Sequence, residues 1–204
     1  MKPFTKLTSR LAPLPNKDVD TDQIIPASYL KATTKEGLAE GLFARWSRGP
    51  DGSPRQEFPL NKPEHQGAEI LLAGDNFGCG SSREHAAWAL VGRGFRAVIS
   101  TSFADIFSNN ALKNGLLPVV VDEATLQVLF ALVAEDPSQT VTVQLEDQTL
   151  SLPSGQTVSF PIDAFSKTCL LEGVDQLGYL LKHEPEITTF EQRREKRGVA
   201  HDMA

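Results

Sequence analysis

The sequence predicts an α/β fold in which a largely parallel layer is joined to antiparallel strands. Two observations carry this. Between residues 68 and 135, short apolar runs alternate with helix-spaced segments through brief connections, as right-handed βαβ units require. Beyond Pro137 the period drops to two: Val141, Val143 and Leu145 alternate with polar residues, the pattern of antiparallel strands with one wet face.

Taken in order, Thr5–Leu11 reads as a first strand that ends at the turn Pro13-Leu14-Pro15-Asn16. Asp18–Pro26 follows, too acidic at its start to be core. Residues 31–67 mix Gly, Pro and charge with Phe43, Trp46 and Phe58, and are expected to form a short helix near 35–46 and then an irregular excursion. Ala68–Ala73 is a buried strand, Gly74–Gly80 a glycine-rich turn. A helix starting near Ser82 buries Ala86, Ala87, Leu90 and Val91 at helical spacing, with Gly92 and Gly94 around its end. Arg96–Ser100 is a second strand, Phe103–Lys113 a helix stopped by Gly115, Leu117–Val121 a third strand, and Glu123–Glu135 an amphipathic helix. Val158, Phe160 and Ile162 alternate beyond the Pro153-Ser154-Gly155 turn. Asp163 caps a short helix, Gly173–Leu181 forms another, and residues 183–204 are a loosely attached tail.

The 204 residues suit a single domain, 1–204, and 40% hydrophobic with 23% charged residues describes an ordinary globular protein. A net charge of −6 and a pI near 5.3 argue against a general nucleic-acid binder. No apolar run approaches the roughly 20 residues that span a bilayer. The N-terminus lacks the apolar region of a signal peptide, so a cytoplasmic location is expected. Two cysteines, Cys79 and Cys169, make a disulfide framework improbable and are too few to ligate an iron–sulfur cluster.

Chemistry concentrates in Gly74-Asp75-Asn76-Phe77-Gly78-Cys79-Gly80-Ser81-Ser82-Arg83-Glu84-His85. Three glycines join a strand to a helix N-terminus, and positive φ at glycine lets successive N–H groups converge on an anion. The helix end adds partial positive charge. Ser81, Ser82 and Arg83 add two hydroxyls and a planar fork suited to a carboxylate. From these residues two readings stand: a carboxylate-binding enzyme site, or a serine-capped helix start with no chemistry. A phosphate loop is disfavoured because GxxxxGK[ST] is absent, and a serine-hydrolase elbow because G-x-S-x-G is absent. Cys79 near the helix end is a further candidate nucleophile.

The run Asn76–His85 resembles the signature of the swivelling domain of the aconitase superfamily. Asn16–Pro26 with D-x-D-T-D-Q-I-I-P, Gly94–Pro118 with S-F-A-D-I-F and N-G-L-L-P, and Phe165–Gly178 agree in order, so the resemblance covers nearly the whole chain. Length and Pro26-Ala27-Ser28-Tyr29-Leu30-Lys31 place it nearest the small subunits of 3-isopropylmalate dehydratases. The resemblance implies a three-layer β/β/α swivelling domain and a hydro-lyase of leucine biosynthesis. Such an enzyme interconverts 2-isopropylmalate and 3-isopropylmalate, and is active only with a large subunit. It implies that no cofactor is bound by this chain, and that a [4Fe-4S] cluster on the large subunit acts as Lewis acid. Ser81 matches the family's catalytic base, and Ser82 and Arg83 its substrate-carboxylate ligands. Thr21, Asp22, Gly78 and Gly80 match supporting positions, although a turn-capping role for Asp22 stays open. Ile25, Tyr29, Leu30 and Lys31, with Ile24, fall in the loop that faces the substrate side chain, with core packing as the competing role. Lys31 is expected to point toward solvent. Glu84 and His85 are expected to make supporting hydrogen bonds, and Asn109, Asn110 and Lys113 to be helix-end polar groups. Arg193, Arg194, Lys196 and Arg197 are expected to form a solvated face. Alternative readings are a homoaconitase or methyl-substituted malate/maleate hydratase small subunit and, from a different class, a non-catalytic carboxylate-binding module.

Overall fold

The computed structural model describes residues 1–31 and 34–201, with side chains described as far as residue 194. The elements are β1 (Lys6–Leu14), α1 (Thr21–Ile24), α2 (Ala44–Ser47), β2 (Ile70–Ala73), α3 (Glu84–Gly92), β3 (Ala97–Ser100), α4 (Asp105–Lys113), β4 (Leu117–Val120), α5 (Glu123–Glu135), β5 (Thr140–Gln144), β6 (Thr149–Ser151), β7 (Thr157–Ser159), α6 (Ala164–Glu172), α7 (Gln176–Lys182) and α8 (Glu184–His201). Single 3-10 turns at Ala27–Tyr29, Leu38–Gly41, Pro59–Asn61 and Pro63–His65 punctuate the excursion that the sequence shows between β1 and β2.

The strands form one seven-stranded sheet in the order β4-β3-β2-β1-β5-β6-β7. Three pairings, β4 with β3, β3 with β2 and β2 with β1, are parallel; the other three are antiparallel. A wholly parallel layer, β4 to β1, is thus joined to antiparallel strands within one sheet, as the sequence predicts. The join lies in β1, longer than the sequence pattern suggests. Its first half, Lys6–Arg10, pairs with β5, and its second, Leu11–Leu14, with β2. Handing its hydrogen bonds from one neighbour to the other between Arg10 and Leu11 lets the sheet curl.

Strand alternation then sorts the core. Leu71, Ala73 and Val98 face α3, α4 and the excursion, packing with Ala86, Ala89, Leu90 and Phe107. Ile70, Leu72, Ala97 and Ile99 face the other way, where Val141, Val143 and Leu150 of the curled antiparallel half join Leu126 and Leu129 of α5. Antiparallel strands, parallel strands and helices thus stack in layers. Such short, wholly buried strands need apolar residues on both faces, as β2 and β3 have.

Several features depart from the sequence expectation. In place of a short helix near 35–46 there is a 3-10 turn at Leu38–Gly41 and then the one-turn α2, separated by Phe43 in the left-handed region. β6 intervenes between the two expected antiparallel strands, and the segment whose start looked too acidic to be core folds as α1, with Thr21 and Ile24 buried. Asp20 caps α1, accepting from Gln23 N while the Gln23 side chain accepts from Asp20 N, a reciprocal capping box. The C-terminal segment is helical as α8, and Arg193 and Arg194 are exposed on it. The side chains of Lys196 and Arg197 lie outside the described residues. No helix among the described residues is long and apolar enough to cross a membrane.

Leu11 sits at the hand-over point and is wholly buried. Leu11→Ala should lower the unfolding free energy in urea by about 3 kcal/mol, the cost of a deleted core side chain plus its cavity. Thr8→Ala, which removes an exposed cross-strand hydroxyl pair with Thr142 at 2.8 Å, should change it by no more than about 1 kcal/mol.

Candidate active site

Parallel strands β1, β2 and β3 end on one edge of the sheet, and three segments leave them there: residues 15–25, 74–83 and 101–104. Ligands of open α/β sheets gather outside such carboxyl ends.

The glycine-rich turn is fixed from two sides. On one side Gly78 N donates to Val19 O (2.8 Å) and Thr21 N to Cys79 O (2.9 Å), a short parallel bridge that adds the turn to the first segment. On the other, Phe77 N donates to Ser102 O (3.1 Å) and Ala104 N to Phe77 O (3.1 Å). Asp75 accepts from both Thr101 Oγ1 and Ser102 Oγ at 2.7 Å, and these hydroxyls hold its carboxyl below the usual carboxylate range. Gly78 has φ +80°, and a Cβ there would lie 2.2 Å from Phe107 Cγ, so both conformation and packing demand glycine. Gly80, at φ +87°, turns the chain outward.

Ser81 and Ser82 follow, both exposed. Helix α3 begins at Glu84 rather than Ser82, and Arg83 takes the cap position without a side-chain cap bond. The expected helix start is therefore two residues early, because the backbone is still extended at Arg83, with φ −136° and ψ +101°; buried Thr21 donates to the Ser81 carbonyl through Oγ1 at 2.8 Å.

Arg83 is half-buried, its side chain 17% exposed. Its Nη1 donates to Asp22 Oδ1 (2.5 Å) and to the Ile25 carbonyl (3.3 Å). Asp22 Oδ1 also accepts from Ala27 N at 3.1 Å, while Oδ2 meets Arg45 Nη1. The Arg83 hydrogen bond, aided by that from Arg45 and by both positive charges, holds the Asp22 carboxyl below its usual range against a smaller effect of burial. Asp22 is thus both the turn acceptor and the partner of Arg83.

The remaining candidates divide by burial. Ile24 and Ile25 are wholly buried, and Ile25 with Tyr29 closes over Gly41, where a Cβ would lie 2.7 Å from Ile25 Cδ1 and 2.8 Å from Tyr29 Cδ1. These isoleucines support the loop from beneath. Tyr29 and Leu30 are half-buried and Lys31 is exposed. Glu84 turns aside to accept from Asn114 Nδ2 (2.9 Å), and His85 lies against Trp88 at 4.8 Å between ring centroids. Arg45, twenty-three residues from its carboxylate partner, belongs to the cluster and was not singled out in the sequence. No local pattern marks it.

Comparison with known proteins gives the same outline. Residues 1–124 match the aconitase C-terminal domain family, and residues 127–164 match LeuD_N. The chain is 60% identical over 199 residues to the 3-isopropylmalate dehydratase small subunit of Roseiflexus sp. (strain RS-1), covering 98% of both chains. With that of Anaeromyxobacter dehalogenans (strain 2CP-C) it shares 57% over 194 residues, covering 95% of this chain and all of the other. A crystal structure of 3-isopropylmalate dehydratase from Methanocaldococcus jannaschii superimposes with a TM-score of 0.64 at 29% identity, over 90% of this chain and 98% of that one. With the glycine-rich turn and its Asp22–Arg83 anchor in place, the chain belongs to the 3-isopropylmalate dehydratase small-subunit family within the aconitase C-terminal domain fold.

Proposed function

We propose that this chain contributes the base and the substrate-carboxylate ligands of a hydro-lyase site that a large subunit completes, in the cytoplasm. The substrate pair is 2-isopropylmalate and 3-isopropylmalate, with 2-isopropylmaleate between them, as the family resemblance implies; the relatives are named 3-isopropylmalate dehydratase small subunits. The observation that carries the proposal is the rigid turn that presents Ser81 and Ser82 next to an Arg83 already fixed by Asp22.

The chemistry follows from those groups. Among the described residues Arg83 bonds to Asp22 and Ile25 through Nη1, and Nε and Nη2 offer donors for a substrate carboxylate, with the Ser82 hydroxyl alongside. Ser81 Oγ, as an alkoxide, takes the proton from the carbon next to the hydroxyl-bearing one. The C–H pair becomes the double bond as the hydroxyl departs with its own bonding pair, and return of water to the opposite carbon gives the isomer. A serine alkoxide needs fixed donors and exclusion of water. Both serines are exposed in this chain, so the reading requires a second surface, that of the large subunit, to close over them.

The residues present do not suit an iron–sulfur cluster. Among the described residues, no three or more His, Cys, Asp or Glu side chains gather as a ligand set. Burial, then Asp20 and Asp18, push the Cys79 thiol up; burial, then Glu172, does the same to Cys169. Neither is poised as a thiolate, and the [4Fe-4S] cluster is assigned to the large subunit.

The test is anaerobic reconstitution with the large subunit and a panel of 2-isopropylmalate, homocitrate and citramalate. The expected result is preference for 2-isopropylmalate, with Ser81→Ala lowering kcat on the order of a thousandfold at nearly unchanged KM. Arg83→Lys should mainly raise KM, because an ammonium cannot reproduce the fork. Preference for homocitrate, or near wild-type turnover by Ser81→Ala, would contradict the proposal.

Cys79 gives a check independent of turnover. Its alkylation by maleimide at pH 7 should be slower than that of glutathione and should accelerate as pH rises toward the elevated thiol pKa. Fast alkylation at neutral pH would restore Cys79 as a nucleophile.

A further inference from the structure

We propose that Arg45 is a positioning residue of this site, sharing the Asp22 carboxylate with Arg83 so that Arg83 keeps its positive charge for an incoming substrate carboxylate. This rests on the assignment of Arg83 to substrate binding made above.

The charge count is the first argument. Asp22 spans two guanidiniums, Oδ1 on Arg83 and Oδ2 on Arg45. Without Arg45, Asp22 and Arg83 would form a neutral pair, and a dianionic substrate would meet no net attraction there. With Arg45 the cluster carries a net positive charge. Asp22 can then orient Arg83 through Nη1 without cancelling it; the Arg45 side chain is 56% exposed, so its effect on the substrate is screened by water until the site is covered.

The second argument is independent and concerns how Arg45 reaches the site. Phe43, immediately before α2, has φ +50° and ψ +29° although it is not glycine. A bulky residue in this left-handed region is an outlier that its surroundings must enforce. Here Phe43 N donates to the Ile24 carbonyl at 2.8 Å, tying the excursion to α1. The Phe43 ring is wholly buried and lies parallel to Trp46, with centroids 5.9 Å apart and planes 2° apart. Trp46 N and Ser47 N both return to the Phe43 carbonyl at 2.8 and 2.7 Å, closing the one-turn helix. The reversal brings α2 against α1 and places Arg45 on Asp22. Arg48, on the next residue after the same helix, instead donates to the carbonyls of Gly52 and Glu40, inside the excursion. The strained turn thus brings one arginine to the site and leaves the other out.

Arg45→Gln, Arg45→Lys and Arg48→Gln are compared in the holoenzyme reconstituted with the large subunit. Arg45→Gln should raise KM about fivefold or more while kcat stays within about twofold, as expected when a charge used in binding is weakened. Arg45→Lys should recover part of the loss, and Arg48→Gln should match wild type. In an Asp22→Asn background, Arg45→Gln should add no further increase, because its effect passes through that carboxylate. Carbon-13 titration of the Asp22 carboxyl in the full chain supplies the readout that needs no substrate. Among the described residues the charged groups facing Asp22 are Arg83 and Arg45, so Arg45→Gln should shift its pKa upward. An unchanged KM, an unshifted Asp22 titration, or equal Arg45→Gln effects in both backgrounds would each overturn the role of Arg45. Failure of wild type to turn over 2-isopropylmalate would overturn the substrate assignment instead, and the titration would still decide on Arg45.

Discussion

The site depends on one seam, the contact between residues 18–25 and the turn 74–83. Neither segment has a core of its own. The first is a one-turn helix held by its capping box, and the second is a run of glycines and polar residues. A free chain of this composition would sample many conformations, and each residue fixed costs on the order of 1–2 kcal/mol of backbone entropy. Three backbone hydrogen bonds, the Thr21 hydroxyl and the Asp22–Arg83 pair offset that cost together. Because every bond crosses the same seam, the Ser81 backbone and the Arg83 guanidinium are located relative to each other rather than separately.

The seam in turn depends on β1. One strand runs through both halves of the sheet, and its C-terminal end sets residues 15–25 next to the turn that leaves β2. Gly74 marks how close that approach is: a Cβ there would lie 2.4 Å from the Asn16 carbonyl oxygen. Curling of the antiparallel half buries one face of the parallel strands and leaves their carboxyl ends clear. Stability and access are thereby given to different ends of the same strands.

Most of this was legible in the sequence where a signal is local. Buried strands β2 and β3 read as short apolar runs, α5 as helical spacing between Asp122 and Asp136, and Asn76–His85 as a motif. What was missed has physical reasons. β6 offers one buried apolar residue, Leu150, too little for a period-two signal. α1 carries one local signal, Asp20 and Gln23 at capping-box spacing, and its four residues are too few to show a helical period. The start of α3 was placed early because Ser82 resembles a cap, whereas Arg83 holds that position. Arg45 was invisible because its partner is distant in sequence and reached through a left-handed Phe43, a conformation no composition rule anticipates.

If the seam positions the base, loosening it without touching any reacting group should slow the chemistry. Thr21→Val is the most direct probe, since it keeps size and burial but deletes the hydroxyl that holds the Ser81 carbonyl. In the reconstituted enzyme it should lower kcat about ten- to a hundredfold, with KM for 2-isopropylmalate nearly unchanged, because small misplacements of a reacting group carry losses of that size. A folded Thr21→Val enzyme with wild-type kcat would show that Ser81 is not positioned by this contact.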